Sequence, residues 1–285
     1  MNDKHSMPRQ LTMVGTGASE GIPGMFCCCE LCNAARRLQG KNIRARTSYL
    51  LGEHIFIDLG PDTLMQGRKF HLPLEKLRHV FISHSHTDHL LPLEFWCHGV
   101  SQCPDGIPLK VYGSQTVREA ISAEIHGDWT KFGLEFIQLG VGTVVELPEL
   151  DLKVTALEAN HKTDPEQSLL YLFESSVYRL LIATDTGEFP ESLWRMLAGK
   201  RLDVVAIDAT WGKDHFDNSS HLGLPDVVEH VEKLKAIGAA DDRTLVLPTH
   251  FAHIGGLLHH QMEEYLKPYG NITPAYDGQV IKLSD

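Results

Sequence analysis

Short apolar runs alternate with turn residues along most of the chain. Residues 11–14 read as a strand entering a glycine-containing loop at 15–24. Residues 47–51 and 54–58 read as a hairpin turning at Gly52-Glu53. Further strands are predicted over 79–83, 109–112, 152–157, 169–174, 178–184, 204–207, 244–247 and 279–283. Helices are fewer. Ser114 suits the N-cap of a helix over 115–125, and a short helix is expected over 190–197. Pro225 suits the first turn of a helix over 226–237 that stops at Gly238, with Val227, Val228, Val231, Leu234 and Ile237 at helical spacing. A last helix over 257–266 breaks before Pro268. Meander-like strands followed by strands separated by helices predict an α/β (α+β) chain with two packed sheets and helices outside.

Composition narrows the picture without identifying it. The 285 residues are 42% apolar and 22% charged, ordinary for a globular protein and unlike a disordered or fibrous one. Lys plus Arg number 26 against 37 Asp plus Glu, a formal charge of −11, which speaks against a basic surface for nucleic acid. Residues 1–11 have no apolar core of signal-peptide length, and no run approaches the ~20 apolar residues that span a bilayer. The expectation is a single cytoplasmic domain over 1–285, with no membrane partner and reduced thiols. A homodimer is left open. The unusual count is histidine, at 17.

The densest chemistry is His84-Ser85-His86-Thr87-Asp88-His89, directly after the apolar run Val80-Phe81-Ile82. In extended chain, residues two apart point the same way, so His84 and His86 can share one ion. The chain then turns, with a helix expected near Leu90, and Asp88 and His89 point to a neighbouring position. Imidazole and carboxylate together suit zinc, manganese or iron. His161, Asp185 and His250 each follow a predicted strand, where loop residues gather at a sheet rim. Singly, each also reads as an ordinary polar loop residue.

As a series, Asp58 in Ile57-Asp58-Leu59-Gly60, then H-S-H-T-D-H, His161, Asp185 and His250 resembles the metallo-β-lactamase superfamily over nearly the whole chain. The resemblance implies a four-layer αβ/βα sandwich with a dinuclear site at one edge. It implies that His84, His86 and His161 bind one metal, that Asp88, His89 and His250 bind the other, and that Asp185 bridges them. Asp58 would orient the cluster from behind. An aspartate at the bridging position is closer to the superfamily's hydrolases and phosphodiesterases than to its true β-lactamases.

Cys27, Cys29 and Cys32 form C-x-C-x-x-C within a crowded run that also holds Cys28, while Cys97 and Cys103 stand apart. Three thiolates need a fourth ligand for tetrahedral zinc, and His253, three residues after His250, is the candidate. Free cysteines are the alternative reading. A Cys-rich zinc loop is thus expected over about residues 15–46. With Gly15-Thr16-Gly17, Ala34-Ala35-Arg36-Arg37, Asn160-His161, Asp185-Thr186, His221 and T-H-x-x-H, the chain resembles the phosphoribosyl cyclic phosphodiesterases of the carbon–phosphorus lyase pathway. That resemblance implies manganese or zinc at the dinuclear centre, a structural zinc beside it and a phosphate-proximal His221. Cys28 inside the motif and a longer segment after Arg37 depart from it.

The reaction so implied is hydrolysis of a small cyclic phosphodiester by a hydroxide generated between two divalent metals. Asp88 would orient that hydroxide and His221 would protonate the leaving oxygen; a cap or surface role is the alternative for His221. Competing readings are a tRNA 3′-processing endonuclease, a thioester or lactone hydrolase, and a non-catalytic metal- or redox-sensing protein. Only 24 residues separate His161 from Asp185, too few for a tRNA-gripping arm. Gly15–Gly24 has the wrong spacing for a dinucleotide fingerprint and reads as a turn bringing backbone toward the metal site. Arg36, Arg37, Arg44 and Arg46 read as a solvated basic face, with phosphate contact the alternative. Trp211, Asp214 and His215 are candidates to border the pocket.

Overall fold

The computed structural model describes residues 7–102, 106–214 and 219–283; Cys103 and His215 lie outside the described residues. Its strands are β1 (Gln10–Gly15), β2 (Ser48–Leu51), β3 (Ile55–Ile57), β4 (His79–Phe81), β5 (Leu109–Gly113), β6 (Leu134–Gln138), β7 (Val144–Leu147), β8 (Leu152–Thr163), β9 (Glu166–Glu174), β10 (Arg179–Ala183), β11 (Val204–Asp208), β12 (Leu245–Thr249) and β13 (Gln279–Lys282). The helices are α1 (Glu30–Leu38), α2 (Thr63–Phe70), α3 (Leu93–Val100), α4 (Gln115–Glu124), α5 (Glu191–Leu197), α6 (Leu224–Ala236) and α7 (His259–Leu266). None of the described helices is long and apolar enough to cross a membrane.

The strands form a seven-stranded sheet, ordered β13-β1-β2-β3-β4-β5-β6, and a six-stranded sheet, ordered β12-β11-β10-β9-β8-β7. Strands β3 to β6 run parallel, as do β10 to β12, while the remaining pairs are antiparallel. Alternation along each strand explains the stacking. In the first sheet, Tyr49, Leu51, Ile55, Ile57 and Phe81 face the inter-sheet core. Their neighbours Leu50, Phe56, Val80 and Ile82 face outward, onto Phe95 of α3 and Val117 and Ile121 of α4. In the second sheet, Leu180, Ile182, Val204 and Ala206 face inward. Leu181, Ala183, Val205 and Ile207 pack under residues of α1, α5, α6 and α7. Strands buried on both faces are continuously apolar, which is why these read as short unbroken runs rather than as alternation. The result is the expected four-layer αβ/βα sandwich.

Several boundaries differ from the sequence reading, each for a local reason. Strand β8 does not stop at residue 157: a register irregularity lets it continue and pair Thr163 with Glu166 of β9. The helix expected near Leu90 begins at Leu93, because Leu90 bridges Leu59 instead and the Leu91 N–H donates to the Leu59 carbonyl. Helix α6 begins two residues early, because the Asp226 carboxylate accepts the Gly223 N–H and caps it. Helices α1 and α2 and strands β6 and β7 were not read. α1 starts inside the cysteine motif, with the Cys29 sulfur at its N-cap accepting the Cys32 N–H.

Candidate metal centre

The predicted ligands come from loops at the C-terminal ends of β3, β4, β10 and β12, which meet at one edge of the two sheets. Asp58 follows β3, His84 to His89 follow β4, Asp185 follows β10 and His250 follows β12. His161 is the exception. It sits within β8 at the register irregularity rather than beyond a strand. Asp58, Asp185 and His250 all have positive φ, at 59°, 54° and 61°. A left-handed conformation costs a residue with a Cβ roughly 1 kcal/mol or more. Three such residues in one cluster show a backbone bent to aim side chains at a common point.

That point is Asp185. Its Oδ2 lies 3.3 Å from His84 Nε2, 3.0 Å from His89 Nε2 and 3.6 Å from His161 Nε2. Its Oδ1 lies 2.7 Å from His250 Nε2. Asp88 Oδ2 is 3.2 Å from His89 Nε2 and 3.7 Å from His250 Nε2. His86 presents Nδ1, 3.4 Å from His161 Nε2. The donor atoms thus fall into two sets sharing Asp185: His84, His86 and His161 on one side, and Asp88, His89 and His250 on the other.

The opposite ring nitrogens are already engaged. His89 Nδ1 donates to Asp58 at 2.8 Å, and His84 Nδ1 meets Ser83 Oγ at 3.0 Å. His161 Nδ1 faces the Ser220 carbonyl at 3.3 Å and His250 Nδ1 faces Thr210 Oγ1 at 2.9 Å. These partners leave the Nε2 lone pairs aimed inward, as metal-ligating histidines require. Among the described residues, His84 Nε2, His89 Nε2, His250 Nε2 and Asp185 Oδ1 are buried with no hydrogen-bond partner outside the cluster itself. Such atoms are expensive to bury unless something else satisfies them, and a divalent cation in each set would do so.

Electrostatics agree with this arrangement. Burial penalises the charged form of Asp185, but His250 and His89 outweigh it and hold the carboxyl well below its usual range. Burial likewise opposes charge on His250, yet Asp185 pushes its pKa up to about 10, and His89 moves in the same direction. Burial and the neighbouring His89 push His84 down. The cluster therefore collects positive charge, as protons or as metal.

His221 stands beside this cluster. Its ring stacks on His250 with centroids 5.6 Å apart and planes 13° off parallel. Nδ1 donates to Asp208 Oδ2 at 3.0 Å. Burial disfavours the imidazolium, but Asp208 outweighs it and raises the pKa. Sequence reasoning missed Asp208, although it ends an apolar strand as Asp185 nearly does. It also missed Thr210 and Glu166, whose carboxylate accepts from Ser85 between two predicted ligands.

The cysteine set also converges. Cys27 Sγ and Cys29 Sγ each lie 3.6 Å from His253 Nδ1, and Cys32 completes the group. Backbone N–H groups of Gly24, Cys29 and Cys32 donate to the sulfurs of Cys32, Cys27 and Cys29 respectively. Glu20 accepts the His253 N–H at 3.2 Å. The Cys32 N–H draws the Cys29 thiol down to about 7, whereas burial pushes Cys32 up to about 12. The donor set of three thiols and one imidazole fits tetrahedral zinc. Cys28 is exposed and lies outside the set.

Two other expectations are corrected. Gly15, Gly17 and Gly21 of the first loop admit close approach to residues 44–46, not to the Asp185 cluster: a Cβ on Gly15 would sit 2.0 Å from the Arg46 carbonyl oxygen. The loop pairs with Phe251, beside His250. Arg44 is no part of a solvated face. It is buried over the Phe251 ring and donates to Thr16, Ala275 and His259. Arg46 pairs with Asp62, Arg36 donates to the Gly24 carbonyl, and Arg37 is exposed.

The chain shares 38% identity over 91 residues with ribonuclease BN of Escherichia coli, 30% of this chain and 28% of that protein. It therefore matches less than a third of the length of these curated relatives. Among solved structures, a diphosphatase from the PhnP family is similar over 96% of this chain and 97% of that chain, at 24% identity and a TM-score of 0.76. The short form of human tRNase Z is similar over 97% and 100%, at 18% identity and a TM-score of 0.66. At these identities the likeness is one of fold. The family model described as a beta-lactamase superfamily domain matches residues 53–251, a span that holds every residue of the Asp185 cluster and leaves out Cys27, Cys29, Cys32 and His253. The chain belongs to the β-lactamase superfamily.

Proposed function

We propose that this protein is a metal-dependent phosphodiesterase that hydrolyses a small cyclic phosphodiester of phosphoribosyl or nucleotide type. His84, His86 and His161 would hold one divalent cation and Asp88, His89 and His250 the other, with Asp185 between them; zinc or manganese suits both. When bound, such a pair supplies an activated water at neutral pH and withdraws charge from phosphoryl oxygens. Asp88, lying against both His89 and His250, is assigned the orientation of the attacking water. A zinc held by Cys27, Cys29, Cys32 and His253 would anchor the N-terminal loop beside His250.

The observation that carries the reading is the Asp208–His221 pair beside the cluster. A sugar alkoxide is a poor leaving group and needs a proton as the P–O bond breaks. Asp208 holds His221 through Nδ1 and raises its pKa, which favours the protonated ring that a leaving alkoxide needs. The names of the relatives also support chemistry at phosphorus, a diphosphatase and a ribonuclease among them. The first of these favours a second reading, hydrolysis of a diphosphate at the same site. The tight β8–β9 turn and the charge of −11 argue against a large nucleic acid as the natural substrate.

The test is turnover by the metal-loaded protein on ribose 1,2-cyclic phosphate esters, cyclic nucleotides, a nucleoside diphosphate ester and precursor tRNA. The expected result is preference for a small cyclic diester. His221→Ala should lower that turnover by about 100-fold or more with metal content intact. It should matter less for bis-p-nitrophenyl phosphate, whose leaving group departs without a proton. Unchanged turnover in His221→Ala, or preference for tRNA, refutes the proposal.

A further inference from the structure

We propose that Glu166 is a positioning residue for the ion assigned to His84, His86 and His161, an inference that rests on the dinuclear reading above. These three ligands come from two separate segments, the loop after β4 and the β8–β9 hairpin. Glu166 joins them. It opens β9, and its carboxylate is buried. Oε2 accepts the Ser85 N–H at 3.0 Å and the Ser85 hydroxyl at 2.5 Å. Ser85 lies between His84 and His86. On the hairpin side, the Glu166 carbonyl accepts the Thr163 hydroxyl at 2.7 Å, closing the turn two residues after His161. Oε1 accepts the Ser114 hydroxyl, whose oxygen in turn caps α4 by accepting the Val117 N–H.

Strand β9 grips the whole approach to the ligand loop. Tyr171 donates to the Ile82 carbonyl at 2.6 Å, Leu169 N–H donates to the Ser83 carbonyl at 2.9 Å, and Glu166 takes Ser85. The last of these clamps acts between two ligands. The other ion's ligands have their own supports: Asp58 for His89 and Thr210 for His250. Neither of these is a partner of Glu166. The effect of Glu166 is therefore selective for one ion of the pair. An amide can keep its oxygen on Ser85 and donate to Ser114, so the Ser85 acceptor, not the negative charge, is what the site needs.

The experiment is manganese titration of the full chain with its cysteine-bound zinc in place, read by binding isotherm and by electron paramagnetic resonance. Wild type should take two manganese ions and show the signal of a coupled pair. Glu166→Ala should weaken one equivalent by about 10-fold or more, leave the other unchanged, and replace the coupled signal by that of an isolated ion. Glu166→Gln should recover most of the lost affinity. Ser114→Ala, which cuts only the link to α4, should bind as wild type. Glu166→Ala should add nothing to the loss in His161→Ala but should add to that in His250→Ala. If Glu166→Ala does not fold, Ser85→Ala carries the same test, with a smaller selective loss expected. Unchanged binding, equal weakening of both equivalents, a Ser114→Ala loss matching that of Glu166→Ala, or no recovery in Glu166→Gln overturns the assignment. No readout uses a substrate, so failure of the phosphodiesterase reading leaves the outcome legible. A wild-type chain taking fewer than two ions overturns the dinuclear reading and the role of Glu166 with it.

Discussion

Replacing Asp58 by asparagine removes the carboxylate that supports His89 while keeping the backbone. The Asp58 carboxylate is buried and accepts three hydrogen bonds: Ser83 N–H at 2.7 Å on Oδ1, and Ser83 hydroxyl at 2.9 Å and His89 Nδ1–H at 2.8 Å on Oδ2. Asparagine tolerates the positive φ of 59° at this position, so the backbone need not change. Its amide offers only one oxygen. With that oxygen on Ser83 N–H, the NH₂ meets a second donor at His89 Nδ1. A neutral His89 escapes by moving its proton to Nε2, which blocks metal binding there. With the amide reversed, two donors face each other at Ser83 in a buried site, a penalty of about 1–3 kcal/mol. Either way the metal-bound state, which needs a free Nε2 on His89, bears a cost. We expect the ion at Asp88, His89 and His250 to bind about 10- to 100-fold more weakly, about 1.4–2.8 kcal/mol. The metal-free chain, whose protonated His89 also rests on the Asp58 carboxylate, should melt at a lower temperature too. Asp58→Ala should show the same affinity loss plus a metal-independent loss of about 1 kcal/mol from the left-handed backbone. Chelator-competition titrations, with thermal melts of metal-free protein, measure both. Asp58→Asn binding both ions as tightly as wild type would refute the assignment of Asp58 to His89.

Other expectations follow from the same geometry. Asp208→Asn should move the alkaline limb of the pH–rate profile to lower pH. His221 acts in its protonated form, Asp208 raises its pKa, and activity is lost as pH rises through that pKa; an unmoved limb would contradict the role. Cys29→Ser should reduce the metal count by elemental analysis from about three to about two per chain, and a full count would remove Cys29 from the zinc set. Protons occupy the raised His250, near 10, and His89 before a cation arrives. Affinity for divalent metal should therefore rise as pH is raised from about 6 to 9, with protons released on loading. Calorimetry in buffers of different ionisation heat measures the release, and pH-independent binding would count against it.

The features that could be read from the chain are those whose chemistry is contiguous. His84 to His89 lie within six residues, so their convergence needed no tertiary knowledge. Asp185 and His250 were legible because apolar runs mark the strands they follow. His161 was recognised but misplaced, because a register irregularity carries β8 past it. Arg44 reads as solvated in sequence because nothing near it announces Phe251, over whose ring it is buried. Helix α1 was missed because only Leu31, Cys32, Ala34 and Ala35 are buried along it, too brief an apolar stripe to stand out.

By itself, the sequence determined the kinds of donor atoms present and the two-residue alternation that sends neighbouring side chains to opposite faces of a sheet. Those follow from local covalent geometry, which every segment carries with it. The tertiary structure alone decided which distant donors meet. It brought His253 to Cys29 across 224 residues and Glu166 to Ser85 across 81. It also fixed which ring nitrogen of each histidine is free, through partners such as Ser220 and Thr210 that are 59 and 40 residues from their rings. Sheet order and register set those meetings, and they arise from packing the thirteen described strands into two stacked sheets rather than from any one segment.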